Sequence, residues 1–177
     1  RLMLERLGDL LRLSLDHIDH QEIGLDQELA FVERYLQLQA MRFEDRLNVS
    51  MKLDPDVHDA LVPPFILQPL VENAVRHGTA ARSAEGTIAV EAWRDNGRVH
   101  LAVRDNGPGL PSGWSLDRNQ GIGIANTRER LRHLYGEQDQ SLKVSQEPGG
   151  GVRVDLSLPF RSSSQPHSSG SHSYDHR

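Results

Sequence analysis

Two alternating segments joined by Asn96-Gly97 constrain the fold of this 177-residue chain more than any other feature. Apolar and polar residues alternate over Thr87–Arg94 and again over Arg98–Asp105, which is the pattern of half-buried β-strands. An Asn-Gly pair readily adopts the positive φ values of a two-residue turn, so the sequence predicts a β-hairpin here. A second hairpin is predicted between residues 141 and 158, with its turn at residues 148–151.

Helical patterns stand before and between the predicted strands. They cover four segments, which are residues 2–19, the stripe from Leu25 to Phe43, Phe65–His77 and Ile124–Tyr135. Residues 47–53 alternate and predict one further strand before the first hairpin. Strands that meet in hairpins, with helices inserted between them, predict an α/β (α+β) two-layer sandwich rather than a doubly wound parallel sheet.

Composition narrows the functional classes. The chain has no cysteine, which excludes disulfides, zinc–thiolate sites and thiol nucleophiles. Its net charge of −5 argues against a nucleic-acid-binding protein. No apolar stretch approaches the roughly 20 residues that span a bilayer. We divide the chain into a helical segment over residues 1–44, a folded domain over 45–160, and a Ser/His-rich tail over 161–177 that we expect to be disordered.

Three short segments in a fixed order carry the candidate chemistry, and the first is Glu72–Gly78. Asn73 and His77 are four residues apart, so they lie on one face of the predicted helix with Arg76 beside them. An asparagine oxygen is a suitable ligand for Mg²⁺, and Arg76 and His77 at the end of the helix can reach phosphate oxygens. Glu72 is either a proton acceptor or water-orienting group near a γ-phosphate, or a charge on the helix surface.

The second segment begins at Asp105, directly after a predicted strand, and continues through Gly107 and Gly109. A carboxylate at the end of a strand would be held rigidly at the edge of a cavity. A buried carboxylate needs a donor, and an adenine amino group can be that donor. The local alternative is an aspartate that only initiates the turn.

The third segment contains Gly121, Ile122 and Gly123 ahead of a predicted helix. Glycines let backbone N–H groups approach phosphates, and the N-terminus of a helix favours their negative charge. Asn126 and Thr127 fall in the first turn, where they either cap the helix or contact phosphate. Residues 107–122 as a whole read as a mobile loop rich in glycine.

Taken together, the three segments resemble the N, G1 and G2 boxes of the GHKL ATP-binding fold, which histidine kinases, gyrase and MutL share. Residues 67–74, 42–47 and 126–131 narrow the resemblance to the LytS-type sensor histidine kinases. The resemblance implies a Bergerat-type mixed sheet with helices on one face, ATP and Mg²⁺ as ligands, and a catalytic domain that follows the end of a dimerisation region. The implied catalytic residues are Glu72, Asn73, Arg76 and His77, with Asn73 as the metal ligand. The implied ATP-binding residues are Asn73, Arg76, His77, Asp105, Gly107, Gly109, Gly121, Ile122, Gly123, Asn126 and Thr127.

The same resemblance implies transfer of the ATP γ-phosphate to a histidine and relay to a response regulator of the LytTR type. It also implies homodimerisation through the helical region and no nucleic-acid partner.

The family's Asn-Pro-His-Phe-like segment, which contains the phosphoacceptor histidine, has no counterpart in this sequence. His17 and His20 are interpreted as polar residues at a helix end. We therefore expect the acceptor outside this chain, which would be the cytoplasmic portion of a membrane-anchored bacterial protein.

Three alternatives stay open at this point, which are a GHKL ATPase, a serine-phosphorylating anti-sigma-type kinase and a nucleotide-sensing pseudokinase. The first two classes carry a glutamate base four residues before the metal-binding asparagine, where this chain has Pro69. Proline cannot accept a proton, which favours transfer to histidine over hydrolysis.

The sequence also departs from the family at a late Gly-Thr pair, which is Gly151-Val152 in this chain. Valine lacks the hydroxyl that supports the adenine pocket in the family.

Overall fold

The computed structural model describes residues 21–43, 46–78, 85–116 and 122–162. The α-helices of this part of the chain are α1 (Leu25–Arg42), α2 (Gln68–Gly78) and α3 (Ile122–Tyr135). Its strands are β1 (Ile23–Gly24), β2 (Leu47–Leu53), β3 (Leu61–Val62), β4 (Gly86–Asp95), β5 (Arg98–Asp105), β6 (Ser141–Gln146) and β7 (Val152–Pro159). The helix predicted over residues 2–19 lies outside the described residues.

Five strands form one mixed sheet in the order β2-β4-β5-β7-β6. Strand β2 runs parallel to β4, and the other neighbours are antiparallel. Both predicted hairpins are present. In the first, Asn96 and Gly97 have φ values of 48° and 73°, as a tight turn of this kind requires. A separate two-stranded sheet pairs β1 with β3.

The two faces of the large sheet differ because side chains alternate along each strand. One face is apolar and fully covered; its buried side chains include Ile88, Val90, Val99, Leu101, Val103, Val154, Leu156 and Leu158. The opposite face is polar, with ion pairs from Glu91 to Arg104 and Arg153. Asp105 is in register with Ile88, so it is the last side chain of β5 on the covered face.

The helices close the covered face and complete a two-layer sandwich. Helix α2 packs on β4, β5 and α3 and buries Leu70, Val71, Ala74 and Val75. Full burial of an aliphatic side chain contributes about 1.5–3 kcal/mol, so this stripe fixes which way α2 is rotated. Helix α1 joins the same core, and its buried contacts to that core include Leu25, Leu29, Val32 and Leu36.

Some elements differ in extent from their predictions. The helix predicted from Phe65 begins at Gln68, because Phe65 itself has a φ of 58° and cannot be helical. Strand β2 is less buried than its alternation suggests, since it lies at the edge of the sheet and Val49 is 38% exposed. Helix α3 ends before Gly136, which has a φ of 76°, as predicted.

The last two described residues also contact the chain at the start of β3. The N–H of Leu61 donates to the carbonyl of Arg161 at 2.8 Å, and Ser162 forms a β-bridge with Ala60. None of the helices in the described ranges is both long and apolar enough to cross a membrane.

Candidate functional site

A cavity of about 440 Å³ lies between α2, the segment that follows β5, the start of α3, and strands β6 and β7. This volume is within the range of about 300–1,000 Å³ that is common for small-molecule sites. Its lining residues are Asn73, Arg76, His77, Pro108, Gly109, Leu110, Pro111, Trp114, Ile124, Val144 and Val152. One end of the cavity is therefore polar, and the rest of its wall is mainly apolar.

The polar end comes from α2. The apolar stripe of this helix faces the sheet, which leaves Asn73 half-buried and Arg76 and His77 exposed along the cavity. Glu72 is not among the lining residues. It is half-buried, and its Oε1 accepts a hydrogen bond from Gln68 Nε2 at 2.8 Å.

Asp105 lies beneath the segment that follows β5 and is only 7% exposed. Its Oδ1 accepts the backbone N–H of Gly107 at 2.8 Å, and its carboxylate also accepts the N–H of Val152. Burial raises the pKa of Asp105 above its usual value, while these two N–H groups and the nearby His77 act in the opposite direction. The carboxylate is fixed in place, although Asp105 itself does not line the cavity.

Two glycines allow three chain segments to meet around this carboxylate. A Cβ on Gly107 would lie 2.6 Å from the carbonyl oxygen of His77. A Cβ on Gly151 would lie 2.0 Å from the carbonyl oxygen of Asp105. Because no side chain fits at either position, the end of α2, the segment after β5 and the turn before β7 pack backbone against backbone.

Gln146 on β6 contacts the segment that follows β5. Its Oε1 accepts the N–H of Leu110 at 3.4 Å, and its amide lies against Gly109. A turn follows, in which the N–H of Trp114 donates to the carbonyl of Pro111 at 3.0 Å. This turn brings the half-buried Trp114 to the wall of the cavity.

The third predicted segment is only partly described. Gly121 lies outside the described residues, and Ile122 begins α3. Gly123 is exposed and packs close to Pro69, while Asn126 is exposed on the first turns of α3. Thr127 is buried, and its hydroxyl donates to the carbonyl of Gly123 at 2.9 Å, so in this structure the hydroxyl serves the helix itself.

The donor set fits Mg²⁺ as a cation that is shared with phosphates. Asn73 provides one neutral oxygen at the cavity. Within the described ranges, no group of three or more histidine, cysteine or acidic side chains could hold a metal ion alone. Mg²⁺ in phosphate-binding sites commonly takes one or two protein ligands and completes its shell with water and phosphate oxygens, which this arrangement permits.

Sequence reasoning did not identify most of the apolar wall. The additional residues are Pro108, Leu110, Pro111, Trp114, Ile124 and Val144, whereas the resemblance had already placed Val152 at the adenine pocket. Val144 and Val152 lie on different strands, and their positions at one cavity depend on the register of β6 and β7. The alternating pattern of the second predicted hairpin does assign Val144 to the covered face of the sheet, so the position of this residue could have been predicted in part.

Comparison with known proteins agrees with this geometry. Residues 63–162 match the family model described as Histidine kinase-, DNA gyrase B-, and HSP90-like ATPase. The chain belongs to this ATPase family. Residues 1–47 match a second model, described as Histidine kinase. The resemblance to GHKL domains of the sensor histidine kinase type is thereby confirmed.

Curated relatives of this ATPase-family chain include one named as a sensor histidine kinase and several named as sensor proteins. The chain is 35% identical over 161 residues to "Sensor histidine kinase YesM" of Bacillus subtilis, which covers 90% of this chain and 27% of that protein. It is 34% identical over 169 residues to "Sensor protein LytS" of Staphylococcus saprophyticus, which covers 90% of this chain and 28% of that protein. The chain thus spans little more than a quarter of the length of these two relatives.

Solved structures confirm the fold. The catalytic domain of histidine kinase ThkA aligns with a TM-score of 0.62 at 17% identity, covering 78% of this chain and 94% of that one. Full-length ShkA, solved in complex with AMPPNP, aligns with a TM-score of 0.58 at 21% identity, covering 90% of this chain and 35% of that one. The predicted two-layer fold with a mixed sheet is that of histidine kinase catalytic domains.

Proposed function

We propose that this chain binds Mg²⁺-ATP and transfers its γ-phosphate to a histidine of a sensor histidine kinase that lies outside this chain. One observation carries the proposal. The cavity has the cationic and amide side chains of Glu72–Gly78 at one end, and a buried carboxylate, Asp105, is fixed by backbone N–H groups beneath its wall. A nucleotide needs both features, since its base is flat and mainly apolar and its phosphates are anionic.

The adenine end is assigned to Asp105. Its carboxylate has two oxygens with about four lone-pair directions, so the two N–H groups that it accepts leave room for a further donor. The adenine amino group is such a donor. Val144, Val152 and Ile124 provide apolar surface for the faces of the ring. A small movement at Gly107 or Val152 would expose the carboxylate to the base.

The phosphate end is assigned to α2 and the start of α3. Asn73 would hold the magnesium ion, and Arg76 and His77 would contact phosphate oxygens. The bound ion neutralises charge on the phosphates during transfer. Gly121, Ile122 and Gly123 would contribute backbone N–H groups, with Asn126 and Thr127 in the first turn of α3.

Glu72 is proposed as the group that accepts a proton or orients the nucleophile. Its present partner is Gln68, one turn earlier on α2. The position where an ATPase would carry its glutamate base is Pro69, which packs close to Gly123. The lack of a carboxylate there favours phosphotransfer to histidine over hydrolysis and over phosphorylation of serine. The presence of all three segments, Glu72–Gly78, Asp105–Gly109 and Gly121–Gly123, argues against a pseudokinase that only senses nucleotide.

The relatives named as sensor proteins support a role in signalling, and the resemblance to LytS-type kinases suggests the partners and the location. We propose a response regulator of the LytTR type as the final acceptor and homodimerisation through residues 1–44. We also propose anchoring of the full-length protein to the bacterial membrane, with this part in the cytoplasm. No nucleic-acid partner is proposed.

Calorimetric titration with ATP and ADP, with and without Mg²⁺, tests nucleotide binding. We expect ATP to bind and Mg²⁺ to strengthen its binding. Incubation with γ-labelled ATP then tests where the acceptor lies, and we expect no acid-labile, base-stable label on this chain. Absence of nucleotide binding contradicts the proposed function. Stoichiometric label on His17 or His20 contradicts only the placement of the acceptor outside the chain.

A further inference from the structure

The loop that leads into α2 has an unusual backbone conformation. Phe65 has a φ of 58°, in the left-handed region that bulky side chains rarely adopt. Gln68 begins α2 three residues later, and Asn73 lies five residues further along. Because the helix is rigid, the conformation of this loop determines where the cavity-lining end of α2 lies.

Helix α1 holds this loop through a buried carboxylate. Glu28 is 0% exposed, although glutamate is rarely buried without partners. Its Oε2 accepts the N–H of Phe65 and its Oε1 accepts the N–H of Leu67, both at 2.8 Å. The two oxygens of one side chain thus satisfy two N–H groups of the loop that precedes α2, and the side chain that does so belongs to a different helix.

Two further contacts hold the same loop. Phe31, three residues after Glu28 on α1, contacts the ring of Phe65 edge-to-face with a centroid separation of 5.5 Å. Arg130 of α3 donates a hydrogen bond to the carbonyl of Pro64, and its charge acts on Glu28. The loop is therefore held by α1 on one side and by α3 on the other.

We propose that Glu28 is a positioning residue for nucleotide binding, because it holds the loop that sets the axial position of α2 and thereby of Asn73 and His77. The inference rests on the proposed function, since it concerns the same cavity. Displacement of α2 by even about 1 Å would separate these side chains from the carboxylate of Asp105, and misplacements of that size are known to impair catalysis severely. Glu28 thereby makes the nucleotide site sensitive to the position of α1.

The variant Glu28→Gln tests this role, because it keeps the size of the side chain but replaces one acceptor oxygen by an N–H₂ group. This group would face a backbone N–H, so one of the two hydrogen bonds is lost. We expect ATP to bind about tenfold more weakly, because a tenfold change in affinity corresponds to the free energy of about one hydrogen bond. We also expect faster amide exchange at Phe65 and Leu67, measured by NMR.

Two control variants separate positioning from general effects. Glu33→Gln makes the same change on the exposed side of α1 and should leave the ATP affinity unchanged. Val99→Ala removes buried volume from β5, at the opposite end of that strand from Asp105, and should lower stability without weakening ATP binding. If Val99→Ala weakens ATP binding as much as Glu28→Gln does, the effect of Glu28 is one of stability and the positioning role is wrong.

The outcomes are distinguishable. If the wild-type chain binds ATP and a folded Glu28→Gln variant binds it equally well, the role of Glu28 is refuted and the proposed function stands. If the wild-type chain does not bind ATP, both proposals fail. Should Glu28→Gln not fold, Glu28→Asp takes its place, because it keeps the carboxylate but draws it back from the N–H groups of Phe65 and Leu67 by one methylene group. Weaker ATP binding by a folded Glu28→Asp variant supports the positioning role, and unchanged binding refutes it.

Discussion

Val152 donates its backbone N–H to the carboxylate of Asp105, while its side chain lines the neighbouring cavity. This backbone contact does not depend on the type of side chain, so the hydrogen bond to Asp105 is the same with the valine of this chain as with the threonine that the family carries. Valine differs from threonine in that it lacks a hydroxyl at the wall of the proposed adenine site.

The variant Val152→Thr should therefore bind adenine nucleotides more tightly. A hydroxyl that gains a direct or water-mediated contact to the base is expected to strengthen binding by about threefold to tenfold. Calorimetric titration with ADP measures the effect, and Val49→Thr serves as the matched control, because Val49 is exposed on the edge strand β2 and does not line the cavity. Equal affinities for the wild-type chain and Val152→Thr would mean that this position does not face the base.

Asp105→Asn should weaken ATP binding by about tenfold to a hundredfold, because a charged acceptor of the adenine amino group is lost. The fold should persist, since the amide oxygen can still accept the N–H of Gly107. Circular dichroism checks the fold, and titration with ATP and with GTP checks specificity. A folded variant with undiminished preference for ATP would refute the assignment of Asp105 to adenine.

Asn73→Ala should remove the Mg²⁺ dependence of ATP binding, because the proposed protein ligand to the ion disappears. Asn73 is half-buried on α2, and alanine is favourable in a helix, so the stability of the variant should change little. ATP titrations with Mg²⁺ and with EDTA give the comparison. A variant that retains the wild-type difference between the two conditions would show that another group holds the ion.

Trp114 should report nucleotide binding by fluorescence. It lines the cavity, whereas the other tryptophan of the chain, Trp93, stacks on His100 with a centroid separation of 5.1 Å on the polar face of the sheet. In the variant Trp93→Phe, Trp114 is the only tryptophan, and ATP should shift or quench its emission. The same nucleotide should slow amide exchange in residues 107–116. Unchanged emission and exchange at saturating ATP would contradict ordering of this segment by the nucleotide.

The stability of the fold should depend on pH through Glu28. Burial raises the pKa of its carboxyl above the usual 4.5, against the opposing effects of the N–H groups of Leu67 and Phe65 and the charge of Arg130. The folded chain therefore holds this proton more tightly than the unfolded chain. The resulting stabilisation is full below pH 4.5 and is lost as the pH rises through the pKa of the folded state.

Denaturant titrations of the wild-type chain and Glu28→Gln across this pH range test the effect. The difference between their free energies of unfolding should shrink as the pH rises above the usual value of the carboxyl, because glutamine does not titrate. A difference that grows with pH would mean that folding lowers the pKa of Glu28.

Local sequence patterns predicted the parts of the fold that depend on local chemistry. The turn at Asn96-Gly97 follows from the conformational freedom of those two residues, and alternation along β5 assigns Asp105 to the covered face. The shared face of Asn73 and His77 follows from helical periodicity alone. In each case the decisive interaction lies within a few residues of the chain.

Features that depend on distant contacts were not predictable in the same way. Glu28 lies in a helical pattern where a glutamate normally faces solvent, and its burial depends on N–H groups that are 37 and 39 residues away in sequence. Phe65 continues an apolar helical stripe, yet its φ is positive and its ring contacts Phe31 of α1. The close approach of Gly151 to Asp105 likewise requires two strands to be in register.

Helix α1 contributes buried leucines and Glu28 to the core that supports the cavity, even though it lies within the stretch that matches the Histidine kinase model. This arrangement has a practical consequence for chimaeric kinases. A junction placed after residue 44 would give the catalytic part a foreign helix that lacks the partner of Phe65 and Leu67. A junction placed before residue 21 keeps the native helix with the domain it supports, and sensor segments are best exchanged there.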